Sequence, residues 1–257
     1  MTAEQVRKGG LGVWAPSVMP PIGVDLSDEQ QMAVAFRHLA SIGFAENMAG
    51  HITWQPDGRS DMYVNPWGLW WQELTASDIC VVDEDARVVR GRWDVTPAIH
   101  IHTEIHRHRP DARVVIHNHP YYVSLIAALG TLPELVHQTG ALFLDDMYLV
   151  EKYDGEIDTP WRAAELAVQI GSANLVILAN HGVIATGKDL AAAVYRAVSI
   201  ERVCQLAYDV MVTGRTPTTM NRGDMVGMQA SLIERAADVY WAGAARMTIK
   251  ADPGVLG

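Results

Sequence analysis

HIHTEIHRHRPDARVVIHNHP, residues 100–120, is the stretch whose reading decides the fold. A helical segment from about Pro97 to His108 has to stop before Pro110, whose ring cannot continue it. The next run, ARVVIHNH (112–119), is rich in β-branched residues and reads as a strand. Pro120 then opens another helix, YYVSLIAALG (121–130), closed by Gly130. Helix, strand and helix therefore follow one another within a single short stretch, which is an α/β pattern.

Outward from this centre the alternation continues. On the N-terminal side, Ser27 and Gln30 have the form of a capping box ahead of DEQQMAVAFRHLASIG (28–43). Met32, Phe36 and Leu39 recur there at helical spacing, and Gly43 supplies the stop. Short strands follow at HITWQ (51–55) and MYVN (62–65), separated by the turn PDGRSD, and then comes the loop PWGLWWQELT (66–75). ICVVD (79–83) and RVV (87–89) read as two strands joined by EDA. On the C-terminal side, Thr159-Pro160 starts the helix WRAAELAVQIG (161–171). LVILAN (175–180) reads as a buried strand, HGV (181–183) as a turn, and DLAAAVYRAVSIERVCQLAYDVMV (189–212) as a long helix stopped by Gly214. A last amphipathic helix covers roughly Asp224 to Trp241. Residues 1–24 carry three prolines and no periodicity, so an irregular arm is expected. No internal repeat or linker interrupts the pattern, and one domain over residues 1–257 is expected.

Bulk composition narrows the function. Apolar residues make up 49% of the 257 and charged residues 19%, the balance of a globular chain and not a disordered one. A formal net charge of -10 opposes general binding to nucleic acid. No apolar run is long enough to span a bilayer, and the start MTAEQVRKGGLGVW lacks an apolar core with a small-residue cleavage site. A cytoplasmic protein without a membrane partner is expected. Cys80 and Cys204 have no metal-like pair spacing and read as small buried side chains.

Ten histidines remain, and their placement is informative. His117 and His119 are one residue apart in a strand, so period-2 alternation turns both imidazoles to one face at a strand end. His181 follows a buried strand and precedes Gly182, in a tight turn where core packing explains a histidine poorly. Two histidines from one strand and one from a distant turn make a three-nitrogen site for a divalent ion, with a position open to water or substrate. The alternative is a surface cluster with incidental hydrogen bonds. His102 and His106 lie one helical turn apart, but Glu104 between them projects elsewhere, so the pair lacks the HExxH arrangement. A supporting or acid–base role suits His102 and His106 better than ligation. His100 and His108 read as solvated.

At these residues the chain resembles the class II aldolase and adducin head-domain family. The resemblance rests on RPD, HNH and NHG at their intervals, carried by HIHTEIHRHRPDARVVIHNHP and LVILANHGVIATGKDLAAAVYRAVSIERVCQ. It implies αβα layers around a central, mainly antiparallel β-sheet, and homotetramers with active sites between subunits. It also implies that His117, His119 and His181 bind the metal, with Zn²⁺ or Mn²⁺ foremost and Fe²⁺ or Co²⁺ as further options.

Two departures qualify what is implied. The sugar-phosphate aldolases and epimerases carry a carboxylate four residues before the position of His102, where this chain has Ala98. Their phosphate is held by a GN-x-S loop, a Ser-Gly loop and a Pro-Ser-Ser segment. This chain has Gly50-His51-Ile52-Thr53, Pro66-Trp67-Gly68 and Thr96-Pro97-Ala98, which removes most of the hydroxyl donors of that clamp. Trp67, Trp70 and Trp71 stand in the middle loop, either as an aromatic wall for a planar substrate or as a subunit interface.

These changes resemble the branch that decarboxylates hydroxylated aromatic acids, including dihydroxyphthalate and hydroxymethylpyridine dicarboxylate decarboxylases. On that reading the substrate is a small aromatic or pyridine carboxylate, and His51 or His102 protonates the ring carbon. Tyr148 and Tyr153 are further candidates for donation across a subunit boundary, with Tyr153 also a candidate substrate contact. Three other readings stay open: an aldolase of a non-phosphorylated hydroxy-keto acid, a non-haem iron oxygenase of an aromatic acid, and an adducin-like assembly domain without catalysis.

Overall fold

The fold is organised by one mixed sheet, and the computed structural model describes residues 16, 18–152 and 155–257 of the chain. Its strands are β1 (His51–Trp54), β2 (Met62–Val64), β3 (Cys80–Val82), β4 (Val88–Arg90), β5 (Val114–Asn118), β6 (Met147–Val150), β7 (Leu175–Leu178) and β8 (Gly182–Gly187). They lie in the order β4-β3-β2-β1-β5-β8-β7-β6. Every pairing is antiparallel except β6 with β7. The expected α/β class with a mainly antiparallel sheet is the observed one.

Helices cover both faces. On one side lie α1 (Asp28–Ser41), α3 (Tyr121–Ala128), α5 (Leu190–Val212) and α7 (Ala237–Ala251), which share a core with Ile52, Val114, Ile116, Ile177 and Val183. On the other lie α2 (Ile99–His108) and α4 (Pro160–Ile170), packed on Val115, Val176 and Ile184 through Ile101, Ile105, Leu166 and Ile170. Strand alternation produces this split, because successive side chains of β5 leave on opposite faces. Val115 and His117 therefore point toward α2, as do His51 and Thr53 of the neighbouring β1.

Local chemistry explains the ends of these elements. The side chain of Ser27 accepts from the Gln30 amide and the Gln30 side chain accepts from the Ser27 amide, so the expected capping box is present. Asp189 caps α5 by accepting from the Ala192 amide at 2.8 Å. The Glu201 carboxylate of α5 accepts from the amides of Tyr122 and Val123 at 3.0 and 2.9 Å. It thereby closes the N-terminus of α3, the helix that follows HNHP. Cys80 and Cys204 are free and buried.

Three elements differ from expectation. Residues 181–183 are not one turn, because β8 already begins at Gly182 and pairs with β7 at Leu178. Met147–Val150 forms an edge strand that no local pattern announced. The final helical region starts at Arg222 as α6 (Arg222–Ser231), passes through a π-helical turn at residues 232–236, and runs on in α7 to Ala251. The described part of the N-terminal arm, up to residue 24, forms neither helix nor strand. Among the described residues, no helix is long and apolar enough to cross a membrane.

Candidate metal centre

The sheet brings the three separated histidines together. His117 leaves β5 toward the α2 face, His119 follows one residue past the strand end, and His181 ends the turn between β7 and β8. One ring nitrogen from each lies within 4.8 Å of the others. Ring centroids are 4.8 to 5.0 Å apart, so the three rings surround one point.

The turn that carries His181 is held tightly. Asn180 adopts φ 57°, and its amide donates to the Ala127 carbonyl at 3.0 Å. A Cβ on Gly182 would fall 2.5 Å from both the Asn118 carbonyl oxygen and Cδ2 of His119. Only glycine lets this turn close onto the HNH segment.

Hydrogen bonds prepare the nitrogens for a cation. Nδ1–H of His117 donates to the Val183 carbonyl at 3.0 Å, and Nδ1–H of His119 donates to the Glu46 carboxylate at 2.9 Å. With the protons placed there, both Nε2 atoms carry lone pairs, and they face each other at 3.2 Å. Two bare acceptors at that distance repel unless a positive charge lies between them. Two nitrogens on one tetrahedral zinc-sized ion would stand about 3.3 Å apart, so the donor set fits a divalent metal. Burial, reinforced by the neighbouring rings, holds His117 well below the usual imidazole range. Burial and then His119 lower His181 to about 4. Neutral imidazoles are the form that binds metal. Glu46, invisible as a site residue in the sequence, fixes the tautomer of His119 in the manner of supporting carboxylates in metal sites.

A cavity of about 460 Å³ opens beside the cluster and reaches His51, Asn65, Trp67 and Ala98. His51 pairs with His117 across the β1–β5 ladder, and their rings are 5.0 Å apart. Gly50, at φ +90°, carries the chain into β1, and a Cβ there would meet Trp71 at 2.9 Å and the His117 carbonyl at 3.1 Å. Asn65 accepts from the Ile52 amide at 3.2 Å and donates to the Gly50 carbonyl at 3.4 Å, pinning the segment on either side of His51. No sequence pattern marked Asn65.

Behind His51 the polar side chains continue inward. Nδ1 of His51 meets Nε2 of His102 at 2.9 Å. Nδ1 of His102 and Nε2 of His106 each lie 2.8 Å from the Thr53 hydroxyl. Burial is the main cause that lowers all three imidazole pKa values, with His106 brought to about 4. His102, expected as one of two candidate proton donors, is fully buried and does not line the cavity; it touches His51 instead.

The three tryptophans separate. Trp67 lines the cavity and is 54% exposed. Trp70 is 47% exposed and does not line it. Trp71, expected in an aromatic wall or a subunit interface, is completely buried in the core with its ring edge-on to Phe36 at 5.0 Å. Tyr148 lies on β6 against the α2–α4 side of the core, away from the cavity. Tyr153 lies outside the described residues. Among the described residues lining the cavity there is no lysine or arginine, while Glu156 and Asp158 are present. Lys152 and Arg162 line a separate cavity of about 270 Å³ that shares Ile157 and His181.

Comparison with known proteins agrees with this architecture. The chain is 33% identical over 179 residues to the decarboxylase NovR of Streptomyces niveus, covering 68% of this chain and 66% of that protein. It is equally 33% identical over 179 residues to the 4-hydroxy-3-prenylphenylpyruvate oxygenase/4-hydroxy-3-prenylbenzoate synthase of Streptomyces roseochromogenus, covering 68% and 64%. An adducin-related protein of Schizosaccharomyces pombe is 32% identical over 178 residues, 64% of this chain and 53% of that one. The chain thus spans about half to two thirds of these relatives' lengths. In fold, the L-fuculose 1-phosphate aldolase of Glaciozyma antarctica superposes with a TM-score of 0.78 at 23% identity, over 89% of this chain and 91% of that one. The Class II Aldolase and Adducin N-terminal domain matches residues 30–208. With the sheet, the histidine cluster and this match in agreement, the chain belongs to the class II aldolase and adducin family.

Proposed function

We propose that this protein is a divalent-metal-dependent carbon–carbon lyase that decarboxylates a hydroxylated aromatic or pyridine carboxylic acid. The observation that carries the reading is His51 on the cavity wall beside His117, with Ala98 in the same wall where the sugar-phosphate aldolases place a carboxylate. The cavity has an imidazole for proton transfer, and at position 98 it has no carboxylate to serve as the acid of the aldol reaction. Among the described residues its lining also has no lysine or arginine to grip a phosphate, and its carboxylates Glu156 and Asp158 would repel one. The NovR decarboxylase among the relatives supports the same choice.

His117, His119 and His181 would hold the ion. Bound there, a divalent ion supplies Lewis-acid stabilisation of the negative charge that bond cleavage leaves on the substrate. The bond between ring and carboxylate breaks, CO₂ leaves, and its electron pair stays on the ring carbon. His51, whose Nδ1 is engaged by His102, offers Nε2 to the cavity and delivers the proton that this carbon takes up. Trp67 provides an aromatic face for a planar ring. A single domain over 1–257 and a homotetramer with sites shared between subunits complete the reading.

The test is CO₂ release from ortho-hydroxylated aromatic and pyridine carboxylates by metal-loaded protein, with and without chelator. Chelator-sensitive release establishes the decarboxylase. Absence of release across the panel with metal bound removes it. The relationship to the oxygenase supports a second reading, a non-haem iron oxygenase of an aromatic acid, and Fe²⁺-dependent oxygen consumption on the same panel would select it.

A further inference from the structure

The buried polar chain behind His51 contains one group that neither the metal nor the cavity explains. The Thr53 hydroxyl is completely buried and stands 2.8 Å from Nδ1 of His102 and 2.8 Å from Nε2 of His106. His102 in turn meets His51 at 2.9 Å. These four side chains come from only two elements: His51 and Thr53 from one face of β1, His102 and His106 from successive turns of α2.

A hydroxyl has one proton, so it can donate to only one of two imidazole nitrogens and must accept from the other. Each neutral imidazole likewise carries one N–H. A choice made at any link therefore fixes every other link. In one arrangement His106 donates from Nε2 to Thr53, Thr53 donates to Nδ1 of His102, and His102 donates from Nε2 to Nδ1 of His51. His51 then carries its own proton on Nε2, toward the cavity. In the reverse arrangement His51 donates inward from Nδ1 and turns a lone pair to the cavity. The two arrangements make the same three hydrogen bonds and differ at the two ends: in what His51 shows the cavity, and in whether the buried, unpartnered Nδ1 of His106 carries a lone pair or a proton.

We infer that Thr53 is a positioning residue: its hydroxyl couples the tautomer of His106 to those of His102 and His51, and holds His51 as an N–H donor to the cavity. This rests on the reading of His51 as the proton donor of the proposed decarboxylase. It also gives the Thr53 hydroxyl a role away from the substrate, since both its neighbours are imidazoles in the interior and its side chain is fully enclosed.

The experiment compares wild type with Thr53→Val, which keeps the shape and deletes the hydroxyl, and Thr53→Ser, which restores it. Zinc-loaded protein with ¹⁵N-labelled histidine is examined by NMR near pH 8, where the ring nitrogens of His51 and His102 report which one carries the proton. Wild type and Thr53→Ser are expected to show a single tautomer for His51, protonated on Nε2. Thr53→Val is expected to show both tautomers at His51 and His102, with kcat for CO₂ release down about tenfold or more and KM little changed. A single unchanged tautomer in Thr53→Val overturns the proposal, as does a wild-type His51 protonated on Nδ1. If Thr53→Val does not fold, His106→Phe removes the hydroxyl's other partner and is read in the same way. Tautomers that shift without any change in CO₂ release would keep the coupling through Thr53 and refute His51 as the acid, so the two failures are separable.

Discussion

Lowering the pH from about 7.5 to about 5 should destabilise this protein partly through one side chain, and replacing that side chain should remove that part. His106 is enclosed between α2 and the sheet, and burial is the main cause that brings its pKa from near 6.5 to about 4. Because the folded-state value is the lower one, the unfolded chain binds the proton more readily. The stability that depends on a neutral His106 is therefore complete above about pH 6.5 and lost as the pH falls toward 4. At about pH 5 most unfolded imidazoles are charged while about a tenth of the folded ones are, which corresponds to a loss of about 2 kcal/mol from His106 alone. The complete shift corresponds to about 3 kcal/mol, reached only below pH 4. His51 and His102 are displaced in the same direction, so the wild-type curve alone does not isolate His106. His106→Gln does, since an amide can still meet the Thr53 hydroxyl and does not titrate. Urea unfolding of metal-free protein at both pH values should give a pH effect smaller by about 2 kcal/mol in the variant than in wild type. Equal pH effects in the two proteins would refute the reasoning.

Further outcomes follow from other contacts. Glu46→Ala removes the acceptor that fixes the His119 tautomer and should weaken zinc binding roughly 10- to 100-fold, measured by competition with a chromogenic chelator. Unchanged affinity would show that the carboxylate is incidental. Gly182→Ala forces a methyl onto the Asn118 carbonyl and the His119 ring, and should lower both metal content and melting temperature; a protein that binds zinc normally would contradict so close an approach. Trp71→Ala should cost about 3–5 kcal/mol in urea unfolding, as expected for a fully buried aromatic residue. Trp67→Ala, at a half-exposed cavity wall, should change stability by less than about 0.5 kcal/mol and raise KM instead.

The histidine cluster was legible in the sequence because its geometry is local at two points. His117 and His119 share a strand face by alternation alone, and Asn180-His181-Gly182 is a turn signal that any strand end would show. The α/β class was legible for a similar reason, since Pro110, Pro120 and the Thr159-Pro160 pair bracket their elements. What stayed hidden depends on docking. Met147–Val150 became a strand only through parallel pairing with β7, and its short segment has no periodicity of its own. The i,i+4 relation of His102 and His106 was visible, but Thr53 lies between them only because α2 packs over β1. Glu46 and Asn65 act through partners 73 and 15 residues away. The tryptophan run showed the limit most clearly: three similar residues in one loop face three different environments, and no spacing rule separates Trp71 in the core from Trp67 at the cavity.

The pairing of His51 with His117 across the β1–β5 ladder is made by main-chain groups, which are the same whatever side chain residue 51 carries. The position opposite His117 is thus a socket: its depth and aim are set by the sheet, and its contents can be exchanged without moving the three clustered histidines. On the proposed reading, a lineage that changes residue 51 would alter the reagent held against the substrate while keeping the histidines that would hold the ion. One scaffold can in this way diversify its reactions through single substitutions at an address that the backbone keeps in place.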